Sequence, residues 1–433
     1  MIEVDIYSDN MTLKTLGGIS TTLKTRSTKN TPEERLVGTI LELGENKLDG
    51  IIRVHCDLNR VVFPVVDNAV EPIRTHNLIV DFLGHTINAM SLKLDKRHSH
   101  LTLQNGKILN TYYTNCMFDI CDGSVYLKNM DITCGNYRVG NIGTRYTPGR
   151  ARFHVNKDCV IRSNYTASYQ GGGVTFFLCG TEFTRIPDYN SKLKDQYVYQ
   201  NNFANKNYRT DFYFDGTMIC DFPSGAGAGG DDDVSYCICT NGSSGWVGPD
   251  ITIGENANIT VTGRTTGIGI HQVSNGTLTL LGGKITAPTG ITCRSAKLYV
   301  PDFSNVVVHG TGEYKSYIID TEGSLGGTNL TTGNAIMIES FPNGGYGSIN
   351  GARLSNVPDV KVFGGTFKSD NNLAIGSFSH VMDNGTDYYP RATRFVSETV
   401  TLESNREHEP ESLEGYDNPT GHGGDWDIIK PSE

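Results

Sequence analysis

The sequence predicts an all-β fold, a single-stranded parallel β-helix (solenoid) with short N-terminal elements and an acidic C-terminal tail. Three observations carry that expectation. A short apolar–any–apolar–turn motif recurs along the chain. The composition is rich in glycine, 50 of 433 residues, and only 19 % charged, which excludes a coiled coil. The cysteines are scattered singly, at intervals close to those of the motif.

The motif reads Leu41-Leu43-Leu48 in LELGENKL and Val80-Phe82-Ile87 in VDFLGHTI. It returns as Leu101-Leu103-Ile108, Val125-Leu127-Ile132, Phe153-Val155-Val160, Phe176-Leu178-Phe183 and Phe212-Phe214-Ile219. Leu278-Leu280-Ile285 and Val360-Val362-Phe367 complete the clear series, with looser copies near Ile251 and Val306. From Val80 to Phe176 the starts lie roughly 21 to 28 residues apart. Internal repetition of this length is the signature of a solenoid.

Each part of the motif has a physical reading. Apolar–any–apolar is a half-buried strand whose alternate residues point inward. The Asn, Asp or Gly that follows turns the chain tightly, often at positive φ. The next apolar residue begins a strand on a new face. One such unit cannot bury its inner side alone, but stacked units bury a continuous core. Leu103, Leu127, Val155, Leu178, Phe214 and Leu280 hold the same place in the motif and are expected to form one inward row.

Cys116, Cys134, Cys159 and Cys179 recur at nearly the coil spacing and read as small buried hydrophobes. No CxxC pair marks a zinc site, so neither metal nor cofactor is expected. The opening MIEVDIYSDN has no basic or apolar signal region, so all ten cysteines are expected to be reduced after synthesis in a cytoplasm. No apolar run approaches the ~18 residues of a spanning helix, which argues against a membrane partner. A net charge of −10 argues against nucleic acid.

Residues 1–36 form an expected N-terminal segment or cap. Thr31, Pro32 and Glu34 in TPEER spell a helix start with a capping box. Residues 37–401 are the expected β-helix, and 402–433 an acidic extension with nine acidic residues against Arg406 and Lys430. Two polar insertions interrupt the coils, at 186–210 and 221–250. Long loops on a rigid scaffold are favoured binding positions. Their Tyr197, Tyr199, Tyr208 and Trp246, together with Tyr213 in the following strand, suit glycan binding, since rings cover apolar sugar faces. Packing of the loops onto the coils would use the same residues.

The stretch HNLIVDFLGHTIN followed by HLTLQNGKIL, with the later GGKI and GGTF turns, resembles the right-handed parallel β-helix of pectin-lyase-like proteins, over roughly residues 37–370. That resemblance implies a right-handed coil. It leaves activity open, because the fold hosts lyases, glycoside hydrolases, phage tailspikes and adhesins. Polygalacturonases of this type carry N-T-D, D-D, G-H-G and R-I-K in order. Asp231-Asp232 matches the second, but no N-T-D precedes it, Arg185-Ile186 runs into proline, and Gly421-His422-Gly423 lies in the acidic tail.

Glycoside hydrolysis needs two carboxylates at a set separation. In TDFYFD the outward residues are Asp211, Tyr213 and Asp215, and Asp231, Asp232 and Asp233 form a second acidic group. These five aspartates are the candidate catalytic residues if the chain is an enzyme. The leading functional expectation is a virion-associated tailspike or fibre that binds cell-surface polysaccharide. Such a protein would assemble in the host cytoplasm as a homotrimer and meet other virion proteins through its N-terminal segment or acidic tail. The alternatives are a polysaccharide-cleaving enzyme on the same fold and a bacterial surface adhesin.

Overall fold

The computed structural model describes residues 1–15, 31–66, 69–70, 72–74, 77–110, 116–135, 138–144, 149–164, 173–182, 208–222, 235–240, 246–263, 267–273, 276–294, 297–313, 333–340, 348–349, 352–353, 359–379, 393–405 and 427–429. It is an all-β parallel solenoid. Thirty strands join in one hydrogen-bonded sheet, which as numbered is a 30-stranded sheet. Within it the pairings are parallel, except where Ile2–Ile6 meets Met11–Thr15 as a hairpin.

Each coil lays down three strands in the same order, so the sheet has three faces. On the first face Asn77–Asp81, 100–104, 123–127, Ala151–Val155, Asp211–Phe214, Asp250–Ile253, Thr277–Leu280, Lys297–Val300 and Asp359–Val362 stack in sequence. A tight turn leads to the second face, where Val160–Ser163, Thr217–Asp221, Asn258–Thr262 and Lys284–Ala287 are successive rungs. The third face carries Arg138–Ile142, Val174–Leu178, Ser235–Thr240, Gly267–Gln272 and Thr289–Arg294.

The inward row on the first face runs Leu103, Leu127, Val155, Phe214, Ile253 and Leu280 through direct cross-strand partners. All six are buried in one core cluster. Leu178 is buried too, but it pairs with Ile142 and Thr240 on the third face, so it belongs to a different row. The motif repeats on two faces of one coil, and its apolar alternation does not say which. A ring cluster fills the middle coils. Phe153 lies 5.3 Å from Phe118, 5.4 Å from Phe176 and 6.0 Å from Phe212.

The turns from first to second face show why their residues are short and polar. Asn105 and Asn129 hold φ of 56° and 49°, and Gly283 and Gly365 hold 82° and 94°. Asparagine tolerates this left-handed region better than other non-glycine residues. Asn129 Nδ2 donates to Asn105 Oδ1 at 3.0 Å, and Asn105 Nδ2 donates to Asp81, so successive turns are tied along the axis. In two coils the turn shifts the register by one residue. There Ile161 and Cys220 point inward, while Ile219 is 37 % exposed.

Two other expectations are corrected. LELGENKL is not a strand pair: the helix Pro32–Glu45 runs through Leu41 and Leu43. Its capping box is formed as the sequence predicts, with Thr31 Oγ1 accepting from Glu34 N–H and Glu34 accepting from Thr31 N–H. Leu36, Ile40 and Leu43 at helical spacing enter the core, so burial favours the helix over a strand there. The cysteines are not all reduced, because Cys220 and Cys237 form a disulfide across Cα atoms 6.1 Å apart. Chain folding at the corner between second and third faces brings them together, which spacing along the sequence does not reveal. Across the expected start of the acidic extension, Thr401–Ser404 pairs with Thr366–Ser369, and within the extension Asp427–Ile429 pairs with the strand Thr393–Ser397.

Candidate functional site

The middle residue of each first-face strand points outward, and the ladder aligns these residues into a column parallel to the solenoid axis. Thr102, Tyr126, His154, Tyr213, Thr252, Thr279, Tyr299 and Lys361 are consecutive members, each the cross-strand partner of the next. Adjacent strands lie ~4.8 Å apart, so side chains in one column touch. The Tyr126 ring meets His154 edge-on at 4.8 Å between centroids, and His154 lies 5.7 Å from Tyr213.

These rings form one wall of an open cleft of about 230 Å³. Lys128, Asn156 and Asp215, at or just after the ends of the same three strand segments, complete it together with Leu127 and Val155. Lys128 and Asn156 are exposed, and Asp215 is half-buried. The volume is below the ~300–1,000 Å³ of enclosed small-molecule pockets. It has room for one ring-sized group and is open to solvent.

Burial sets the protonation of the wall. It pushes the His154 imidazole below its ordinary value, opposed by Asp211 and assisted by Arg152, so the ring favours its neutral form. Burial, then the charges of Asp215 and Glu255, push the Tyr213 hydroxyl up, so it stays protonated and available as a hydrogen-bond donor.

The outward trio Asp211, Tyr213 and Asp215 does share one side of its strand, as the sequence predicts, but the two carboxylates are already engaged. Asp211 Oδ2 accepts from Arg150 Nε and Nη2 at 3.0 and 2.7 Å and lies 3.3 Å from Arg152 Nε. Asp215 accepts from the Asn256 backbone N–H at 2.8 Å and from Asn256 Nδ2 at 3.0 Å. Asp211 opens the strand Asp211–Phe214 and Asp215 follows its end, with Tyr213 between them in the outward register.

The remaining expected residues divide simply. Tyr197, Tyr199, Asp231, Asp232 and Asp233 lie outside the described residues. Tyr208 precedes the Asp211–Phe214 strand, and its carbonyl accepts from Thr181 Oγ1 at 3.4 Å. Trp246 pairs with Glu182 in a short antiparallel ladder, apart from the outward column. Tyr126, His154, Lys128 and Asn156 were absent from the sequence-based set. The signal for Tyr126 and His154 is the middle letter of VYL and FHV, which with that of FYF is outward-facing and aromatic in three successive first-face strands; Lys128 and Asn156 follow these triplets directly and carry no signal of their own.

Among the described residues no group of three or more His, Cys, Asp or Glu side chains is placed to hold a metal ion. Among them, too, no helix is long and apolar enough to cross a membrane. No protein-family model matches the chain, and neither a curated protein nor a solved structure shows significant similarity to it.

Proposed function

We propose that the chain is a right-handed parallel β-helix of the virion-associated tailspike or fibre type, and that its first face binds a cell-surface glycan. The observation that carries this reading is the Tyr126–His154–Tyr213 column and the open cleft beside it. Aromatic rings offer a flat apolar face and, in tyrosine, a polar edge. Sugars present the matching arrangement, with C–H faces and hydroxyl rims. Lys128, Asn156 and the Tyr213 hydroxyl supply the hydrogen bonds a sugar rim needs. The rigid ladder beneath holds these groups in place before binding, which lowers the ordering cost. Homotrimer assembly, and contact with other virion proteins through the N-terminal segment or acidic tail, belong to the same reading.

Cleavage of the glycan is the second reading. It is favoured by the neutral His154 imidazole beside the protonated Tyr213 hydroxyl, a pair able to accept and donate protons. One experiment separates the two. Purified bacterial O-polysaccharides and capsular polysaccharides are arrayed and probed with the wild-type protein and the Tyr126→Ala/Tyr213→Ala variant, and the solutions are assayed for new reducing ends or unsaturated products. Binding that the variant loses, without products, is the expected result. Products that disappear in His154→Ala would favour the enzyme, and no binding by the wild type would remove both readings.

A further inference from the structure

We infer that the first face carries a second glycan-binding station, centred on Tyr299, and that the ligand is a chain lying along the solenoid axis across both stations. The inference rests on the glycan-binding reading of the Tyr126–His154–Tyr213 cleft.

Tyr299 belongs to the same outward column as Tyr213. The cross-strand partners run Tyr213 to Thr252, Thr252 to Thr279, and Thr279 to Tyr299. Three rungs place Tyr299 ~14 Å along the axis from Tyr213. Between them the column consists of Thr252 and Thr279, so within the column itself only small side chains separate the two tyrosines. A linear polymer meets such a track with repeated contacts, whereas a compact ligand meets only one end.

The second station has the chemistry of the first. Tyr299 is 42 % exposed, and Phe303, in the turn just after its strand, is 68 % exposed. Phe363, from the next coil, meets the Tyr299 ring edge-on at 6.1 Å. Such exposed rings present flat apolar faces on which a sugar ring can pack. Lys297 stands two residues before Tyr299 on the same outward side and is exposed, as Lys128 is beside the first cleft. The neighbouring carboxylate of Asp359 accepts instead from Lys361 Nζ at 3.2 Å. Each station therefore pairs rings with an exposed lysine, Lys128 at the first and Lys297 at the second, that makes no ion pair among the described residues.

Linking two weak contacts on one chain raises affinity only when the chain spans both. This gives the proposal its test. The array polysaccharide that binds most strongly is cut by mild acid into fragments and sized by gel filtration. Affinities of short and long fragments are then measured for the wild type, for Tyr299→Ala/Phe303→Ala, and for Tyr126→Ala/Tyr213→Ala. Tyr299 and Phe303 are exposed, so their loss spares the fold, which circular dichroism verifies. The expected result is that Tyr299→Ala/Phe303→Ala weakens long fragments by about tenfold and leaves the shortest binding fragments unchanged. Equal affinity of wild type and this variant for long fragments, while Tyr126→Ala/Tyr213→Ala still abolishes binding, would overturn the second station alone. Loss of short and long fragments to the same degree would also overturn it. If the wild type binds no fragment, the underlying reading fails with it.

Discussion

Gly254 lies directly against Asp215 of the preceding coil: a Cβ at position 254 would stand 2.2 Å from Asp215 Oδ1 and 2.8 Å from the Tyr213 hydroxyl. The absence of a side chain there lets both groups occupy the end of the cleft. Gly254→Ala is therefore expected to displace Asp215 and Tyr213 together and to weaken glycan binding, although residue 254 does not line the cleft. Calorimetric titration with the array polysaccharide checks this, with thermal unfolding as the control for the fold. Unchanged affinity would show that the Asp215–Tyr213 placement does not matter for binding.

The core makes a contrasting pair of predictions. Phe153 is fully buried against Phe118, Phe176 and Phe212, so Phe153→Ala should cost about 3–5 kcal/mol of stability. Phe303→Ala, at a 68 % exposed position, should change stability by less than ~0.5 kcal/mol. Denaturant unfolding of the two variants side by side would reveal whether the inward rows bear the stability as described.

Much of this core was legible in the sequence because its determinants are local. The apolar alternation and the short turns at Asn105, Asn129 and Gly283 keep the first face in step, so Leu103, Leu127, Val155, Phe214 and Leu280 could be aligned by eye. The capping box at Thr31 and Glu34 was legible for the same reason. Leu178 was misplaced because strands of the third face show the same alternation, and loops of unequal length remove the spacing that would separate the faces. Leu41 and Leu43 imitated a strand, since a pair two residues apart does not distinguish strand from helix. The disulfide was hidden because Cys220 and Cys237 meet only at a corner of the coil. The site was partly legible. Tyr213 and Asp215 were found from one strand, but Tyr126 and His154 emerge only when outward residues are read across coils.

The cysteines give a chemical count. With Cys220 and Cys237 joined, eight thiols are free. Titration of the denatured protein without reductant should return eight, rising to ten after reduction. In the folded protein Cys121 and Cys239 should alkylate very slowly at neutral pH, because burial pushes both thiols up to about 12 and only the thiolate reacts. Ten thiols in the unreduced protein would contradict the disulfide.

His154 predicts an acid-side loss of stability. Its folded pKa lies below the ordinary 6.5, chiefly through burial, so the unfolded chain binds the proton first as pH falls. The stabilisation is complete above about 6.5 and declines as pH drops through the folded value. His154→Gln, which cannot take up the proton, should flatten the dependence of unfolding free energy on pH in that window. A variant with the wild-type slope would show that His154 contributes nothing to it.

The central claim is that glycan lies on the outward column of the first face. Hydroxyl-radical footprinting of the wild-type protein, free and saturated with the array polysaccharide, tests it most directly because it reads every face at once. The account predicts protection of Tyr126, His154 and Tyr213, extending to Tyr299 and Phe303 with long chains. Exposed residues of the second face, such as Ile219 and Leu402, should remain as reactive as in the free protein. Protection of the second-face residues, with the first-face column unchanged, would contradict the account.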